Sequence, residues 1–276
     1  MGVALGYLGT ILGILMVKPF VDAGGRGAAF LPTALLFLLF AIPCFLFVKE
    51  ARSKVRWTPR LLKEGYAQLI GTLRNARGNA NLLRFIGARF LYVDSVNTLL
   101  IFMAVYVTKV IGFTEDQVRW LLIVSTSFAI VGSFIYGRLV DRVGPKKTLI
   151  IVLLQWVVVF IASAATLHQP FFWVIGALAG VTLGGTWTAD RVFLTRLAPP
   201  ERVGEFFGLY GLAGRFAAAV GPLVWGLTLW ALADWGMVRF RIAILVLLVN
   251  VVLGFIVLLG VRERAVDPSR SLLPAG

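Results

Sequence analysis

Eight stretches of the chain are apolar for long enough to cross a bilayer: roughly residues 2–17, 30–48, 85–107, 119–137, 148–167, 171–190, 206–229 and 241–261. A spanning helix needs about 20 such residues, whereas a barrel strand needs about 10 with strict alternation. None of the eight alternates, so each predicts a membrane helix, the first being the shortest. The stretches between them are short and carry Gly, Pro or charge, as in "GFTEDQ", "GRLVDRVGPKK", "HQP", "APPERVGE" and "DWGMVR". This pattern predicts an all-α integral membrane protein with eight transmembrane helices.

Only one connection is long, at 49–81. Leu62, Tyr66, Leu69, Ile70 and Leu73 form a helical stripe there, flanked by Lys63, Arg74 and Arg77. That spacing predicts an amphipathic helix lying on a membrane surface. The chain therefore divides into two helices (1–48), a basic linker (49–81), six helices (82–262) and a tail (263–276).

Composition agrees with the pattern. The chain is 59% hydrophobic and 14% charged, far from the roughly 25% charged residues of soluble domains. Its net charge of +14 would suggest nucleic acid in a soluble protein. Here the basic residues cluster at the ends of apolar runs and the aromatics lie inside them, so no nucleic-acid partner is expected. Twenty of the 27 Lys and Arg fall on one side if the 49–81 connection is cytoplasmic, and six on the other, with Arg215 inside a run. The bias predicts both termini in the cytoplasm, facing an anionic inner leaflet. Cys44 is the single cysteine and can form no internal disulfide. The first residues lack the basic start and small-residue site of a cleaved signal peptide.

The turn at 137–147 carries the most specific signal. Gly137, Leu139, Asp141, Arg142, Gly144, Lys146 and Lys147 fit G-x-L-x-D-R-x-G-x-[KR]-[KR], with Pro145 where a basic residue is commoner. It resembles the cytoplasmic signature turn of the major facilitator superfamily. "ALGYLGT", "YVDSVNT", "RLAPPER" and "EFFGLYGLAGRFAAAVGPLVWG" together resemble the branch that includes the autophagy-linked vacuolar amino-acid effluxers and their bacterial relatives. The resemblance maps onto helices five to twelve of a twelve-helix protein. It implies a complete C-terminal six-helix bundle plus the last two helices of the N-terminal one, in a bacterial inner membrane. It also implies a small-molecule substrate at a midplane site between two rocking halves. Gly137 is then expected to permit close helix approach and Gly144 the tight reversal. Asp190, Arg191, Arg196 and Glu201 are expected to join Asp141, Arg142, Lys146 and Lys147 in a cytoplasmic gate.

Several polar residues fall where lipid would exclude them. Asp94, Asn97 and Thr98 share one face of the third run, with Tyr92 half a turn away. A central Asp costs about 2.5–3.5 kcal/mol and each large aliphatic returns about 0.3–0.6, which leaves that helix near break-even. Such a helix is expected to face protein or a watery cavity. Arg215 lies about ten residues into the seventh run, either snorkelling to the cytoplasm or serving as a partner for Asp94 or for a solute carboxylate. These four, with Tyr92 and Tyr210, form the expected substrate and ion pathway. Two small-residue ladders, Gly2, Gly6, Gly9 and Gly13, then Gly208, Gly211, Gly214 and Gly221, predict close helix packing. Gln155 and Asn250 read as packing contacts, and His168 has no expected role.

No H-E-x-x-H, Gly-x-Ser-x-Gly, Cys/His cluster or paired intramembrane aspartates occur, which argues against an enzyme; no cofactor or metal is expected. The leading expectation is a secondary transporter, possessing the C-terminal two-thirds of a facilitator from a truncated or split reading frame and carrying a small solute such as a neutral amino acid. The alternative is a non-transporting subunit or scaffold, completed by a separate four-helix chain.

Overall fold

The computed structural model describes residues 2–47, 80–199 and 202–262. The expected amphipathic stripe, the 263–276 tail and Glu201 lie outside the described residues. Eight long helices follow in order: α1 (Gly2–Gly24), α2 (Phe30–Phe47), α3 (Ala80–Tyr106), α4 (Glu115–Val143), α5 (Pro145–Ala165), α6 (Gln169–Leu197), α7 (Val203–Ala231) and α8 (Val238–Leu259). All eight are long and apolar enough to cross a membrane, as expected. Among the described residues there is no strand. Several helices outrun their apolar stretches. α4, α6 and α7 each have 29 residues, about 44 Å of helix against a hydrocarbon core of about 30 Å, so their polar ends stand in the interfaces.

Local chemistry explains the reversals. Thr114 caps α4 in a reciprocal box with Gln117, and Glu115 and Asp116 oppose the helix dipole. Gly144 joins α4 to α5 at φ 91°, a conformation that favours glycine, and Pro145 begins α5 where no helical N–H is needed. Orphan helix-end carbonyls find side chains. Lys146 Nζ donates to Leu259 O at 3.1 Å, Arg241 Nε to Ala164 O at 2.6 Å, and Gln169 Nε2 to Gly112 O at 3.0 Å.

α3 runs between α7 and α8, α5 bridges α6 and α8, and α4 packs along α6; α1 lies on α4, and α2 touches little but α1. At the α4–α6 crossing the backbones meet. A Cβ on Gly180 would stand 2.0 Å from Ser125 O, one on Gly184 2.2 Å from Ala129 O, and one on Gly132 2.2 Å from Val181 O. Gly176, Gly180 and Gly184 form a ladder at four-residue steps, which lets two helices approach to backbone contact.

The expected ladders lie elsewhere. Among the described residues, a Cβ on Gly6, Gly9, Gly13, Gly208 or Gly211 would meet nothing within 4 Å, and the same holds for Gly137 on α4. Those glycines lie on helix faces turned away from the described neighbours. Gly214 and Gly221 do make close contacts, described below.

The remaining surface suits lipid. Ile151, Leu154, Val158 and Ile161 form an exposed apolar stripe on α5, and α2 has no buried residue. Trp120, Trp230 and Trp235 are exposed at the end opposite Gly144, where indoles favour the membrane interface.

Gly180→Ala is expected to destabilise the fold by about 1–3 kcal/mol, since the methyl collides with main chain. Gly208→Ala should change stability by no more than about 0.5 kcal/mol. Thermal unfolding midpoints in detergent compare the two; equal midpoints would contradict the crossing described.

Candidate functional site

Two polar clusters lie within the helical bundle, stacked along α3. The one nearer Gly144 is built from three helices. α3 contributes Arg89 and Tyr92, three residues apart and so on one face. α6 contributes Asp190 and α7 contributes Tyr210. Arg89 Nε donates to Asp190 Oδ2 at 2.9 Å, Tyr210 Oη donates to the same oxygen at 2.7 Å, and Tyr92 Oη donates to Oδ1 at 2.5 Å. Arg89 Nη1 donates to the Tyr210 carbonyl at 3.0 Å, and the guanidinium lies 3.4 Å from the centroid of the Tyr210 ring. A Cβ on Gly214 would stand 3.0 Å from Nη1, so the glycine makes room for the guanidinium. All four side chains are buried.

This arrangement satisfies a carboxylate that lipid would otherwise reject. Each carboxylate oxygen accepts a short hydrogen bond, and the cation is bonded, stacked and neutralised at once. The cluster carries no net charge and links α3, α6 and α7 at one depth.

The second cluster lies deeper, where α3 meets α7. Asp94 and Thr98, one helical turn apart, are buried, and neither Asp94 Oδ1 nor Thr98 Oγ1 has a hydrogen-bond partner among the described residues. Both face Gly221. A Cβ there would stand 1.8 Å from Thr98 Oγ1 and 2.7 Å from Asp94 Oδ1. One turn further along, Phe102 of α3 stacks on Trp225 of α7, centroids 5.1 Å apart and planes at 10°. Trp225 Nε1 is also buried without a partner. Pro222, just after Gly221, leaves the Ala218 carbonyl without its helical donor, making this a natural bending point in α7.

The structure separates residues that the sequence groups together. Tyr92 and Asp94 are two residues apart, so they point about 200° from each other around α3. Tyr92 turns to Asp190 and Asp94 to α7. Asn97 is half-buried and makes no side-chain hydrogen bond to a described residue. Arg215 is exposed and forms no ion pair with Asp94. It precedes Gly221 by six residues, which puts it about 9 Å along and 120° around the helix. Arg215 is therefore not the partner of Asp94.

The expected gate is also divided. Asp190 is buried with Arg89 and not beside Asp141 and Arg142. Asp141, Arg142, Lys147 and Arg191 are exposed, and no ion pair joins Asp141 to Arg142 or Arg191 among the described residues. Lys146 reaches α8 instead. Arg196 is half-buried, and Arg202 pairs with Glu205 at 2.7 Å.

Arg89 is the member of this cluster that the sequence pattern did not single out; it fell among the twenty basic residues assigned to one side of the membrane. The signal was present. Arg89 and Asp190 both lie inside apolar runs, at similar depths from the same end of the bundle. An apolar cavity of about 110 Å³ lies between α3, α4 and α6, lined by Leu99, Leu121, Ser125, Phe172 and Leu183; none of the expected pathway residues reaches it. Among the described residues no cluster of His, Cys, Asp and Glu could hold a metal ion. Tyr136 donates to Gln155, which accords with a packing role for that amide.

Known proteins of related sequence and fold bear on this geometry. The family described as "Vacuole effluxer Atg22 like" matches residues 1–267. An MFS-type transporter of Bacillus subtilis (strain 168), YxiO, is 26% identical over 266 residues, covering 92% of this chain and 62% of its own. Autophagy-related protein 22 of Pichia angusta is 24% identical over 191 residues, covering 65% and 34%. The chain thus spans less than two-thirds of the length of these relatives. The crystal structure of the E. coli fucose:proton symporter FucP superposes with a TM-score of 0.63 at 15% identity, over 93% of this chain and 64% of that one. At that identity the likeness shows the fold alone, that of a major facilitator transporter. The relatives are transporters, not enzymes.

Replacing Arg89 by Leu leaves Asp190 buried and without its counter-ion, and should cost about 3–5 kcal/mol. The double variant Arg89→Leu/Asp190→Leu should recover most of that loss. A double-mutant cycle on unfolding midpoints measures the coupling; additive losses would mean that the pair does not act as a unit.

Proposed function

The chain belongs to the vacuole effluxer Atg22-like family, and on that footing we propose that it forms the larger part of a secondary-active transporter that moves a small solute by alternating access. Buried charge supports this reading. Arg89, Asp94 and Asp190 lie inside spanning helices, where ionisable groups are costly and mark solute and ion pathways. The Arg89–Asp190 pair also ties helices together, as a scaffold would need; the uncompensated Asp94 is the group that a scaffold would not need.

In this proposal the solute is a neutral amino acid, the class implied by the resemblance to amino-acid effluxers. Arg215, exposed on α7, offers its guanidinium to the solute carboxylate. The Arg89–Asp190 cluster ties α3, α6 and α7 at the end carrying the Gly144 turn. We place that end in the cytoplasm of a bacterial inner membrane, following the lysine and arginine bias. The Gly144 turn then presents Asp141, Arg142 and Lys147 to a further segment, the four helices that complete a twelve-helix transporter.

Uptake into proteoliposomes tests the reading. The chain should be compared alone and fused behind the first four membrane helices of a full-length relative such as YxiO, against a panel of radiolabelled neutral amino acids. The fusion is expected to accumulate at least one of them, and Arg215→Ala to reduce that uptake about 10-fold or more, as loss of a charge-assisted contact would. A fusion that folds and inserts but moves none of the panel would sink the amino-acid assignment.

A further inference from the structure

Asp94 and Asp190 are the two acidic residues buried among those described, and their surroundings are opposite. Asp190 has a cation and two phenols on its carboxylate. Asp94 has an unpartnered oxygen among the described residues, and the polar groups beside it are the Gly221 main chain and the Thr98 hydroxyl, both uncharged. No charged group from any neighbouring helix meets it. On α3, Arg89 and Tyr92 are engaged with Asp190; on α6, Asp190 is engaged with them. On α7, Tyr210 is engaged with Asp190, and Arg215 is exposed. On α8, Arg239 and Arg241 stand at the other end of the bundle, Arg241 on the Ala164 carbonyl, and the residues nearer the middle, Leu247, Asn250 and Val251, do not titrate.

We infer that Asp94 is the proton-binding site of this protein, and that seating α7 against α3 at Gly221 requires the proton to be in place. Space selects the ion. A carboxylate without a counter-charge cannot be sealed from water cheaply, so something positive must accompany it. A hard metal cation gathers on the order of six oxygen ligands, whereas the seam offers the Asp94 carboxylate and the Thr98 hydroxyl. The gap beside Gly221 does not admit even a methyl group. A proton takes no room. It comes from water onto an Asp94 carboxylate oxygen and returns to water when α7 moves away and the carboxylate is hydrated again.

α7 is suited to that motion. It packs chiefly on α3, and its Gly221–Pro222 break sits opposite the carboxyl group. The use of this proton to drive a solute rests on the transporter reading; the proton site itself does not.

Infrared spectroscopy of the full chain in lipid nanodiscs at neutral pH reads the carboxyl directly. Exposed carboxylates are ionised there, so a protonated-carboxyl C=O band reports a buried acid. The band is expected in the wild-type protein and should shift on carbon-13 labelling of aspartate, an assignment that requires no variant to fold. It should vanish in Asp94→Asn and persist in Asp190→Asn. Gly221→Ala, which wedges α7 from α3, should convert it to the ionised form. Absence of the band from wild type, its survival in Asp94→Asn, or indifference to Gly221→Ala would each overturn the inference. A chain that shows the band but moves no solute loses the transport reading and keeps the proton site; active transport without the band does the reverse.

Discussion

A carboxylate removed from water must find its compensation in place, and the six helices from α3 onward are organised around one that does. Asp190 sits at the crossing of α3, α6 and α7 with every hydrogen bond it needs supplied by residues from two other helices. The interaction is directional, so it fixes rotation and depth as well as proximity. Lipid provides no hydrophobic drive for one apolar helix to choose another, and polar contacts of this kind give such helices a register.

Around that fixed point, packing has two textures. α4 and α6 meet backbone to backbone through Gly132, Gly180 and Gly184, with no side chain between to deform. α7 lies on α3 through separate contacts: Gly214 beneath the Arg89 guanidinium, Gly221 against Asp94 and Thr98, and Trp225 on Phe102. The first arrangement leaves no side chain between the two main chains. The second is made of discrete side-chain contacts, and the Gly221–Pro222 step of α7 lies among them.

The two buried aspartates show how neighbours decide the chemistry of one residue type. Asp190, matched by Arg89, is a structural charge. Asp94, opposite a bare glycine and without a counter-ion, stands open to a change of state. α3 and α7 line both sites, Tyr92 and Tyr210 at Asp190 and Gly221 at Asp94.

The sequence by itself determined the membrane architecture, because runs of about 20 apolar residues leave the backbone no option but helix. It also located the reversal at Gly144, where a positive φ, a following proline and flanking charges are local matters. It marked Asp94, Thr98, Tyr92 and Tyr210 as out of place in lipid, and carried the family resemblance. It did not say which polar residues meet. Asp190 read as part of the Asp141 cluster, Arg89 as a topology signal, and Arg215 as the partner of Asp94, since proximity along the chain was the available guide. The glycine ladder at 176, 180 and 184 was as visible as those on α1 and α7, yet only the crossing of α4 with α6 shows which one touches backbone. Pairings between helices depend on rotation about each axis and on which neighbour faces which side, and these arise only when all the helices are packed together.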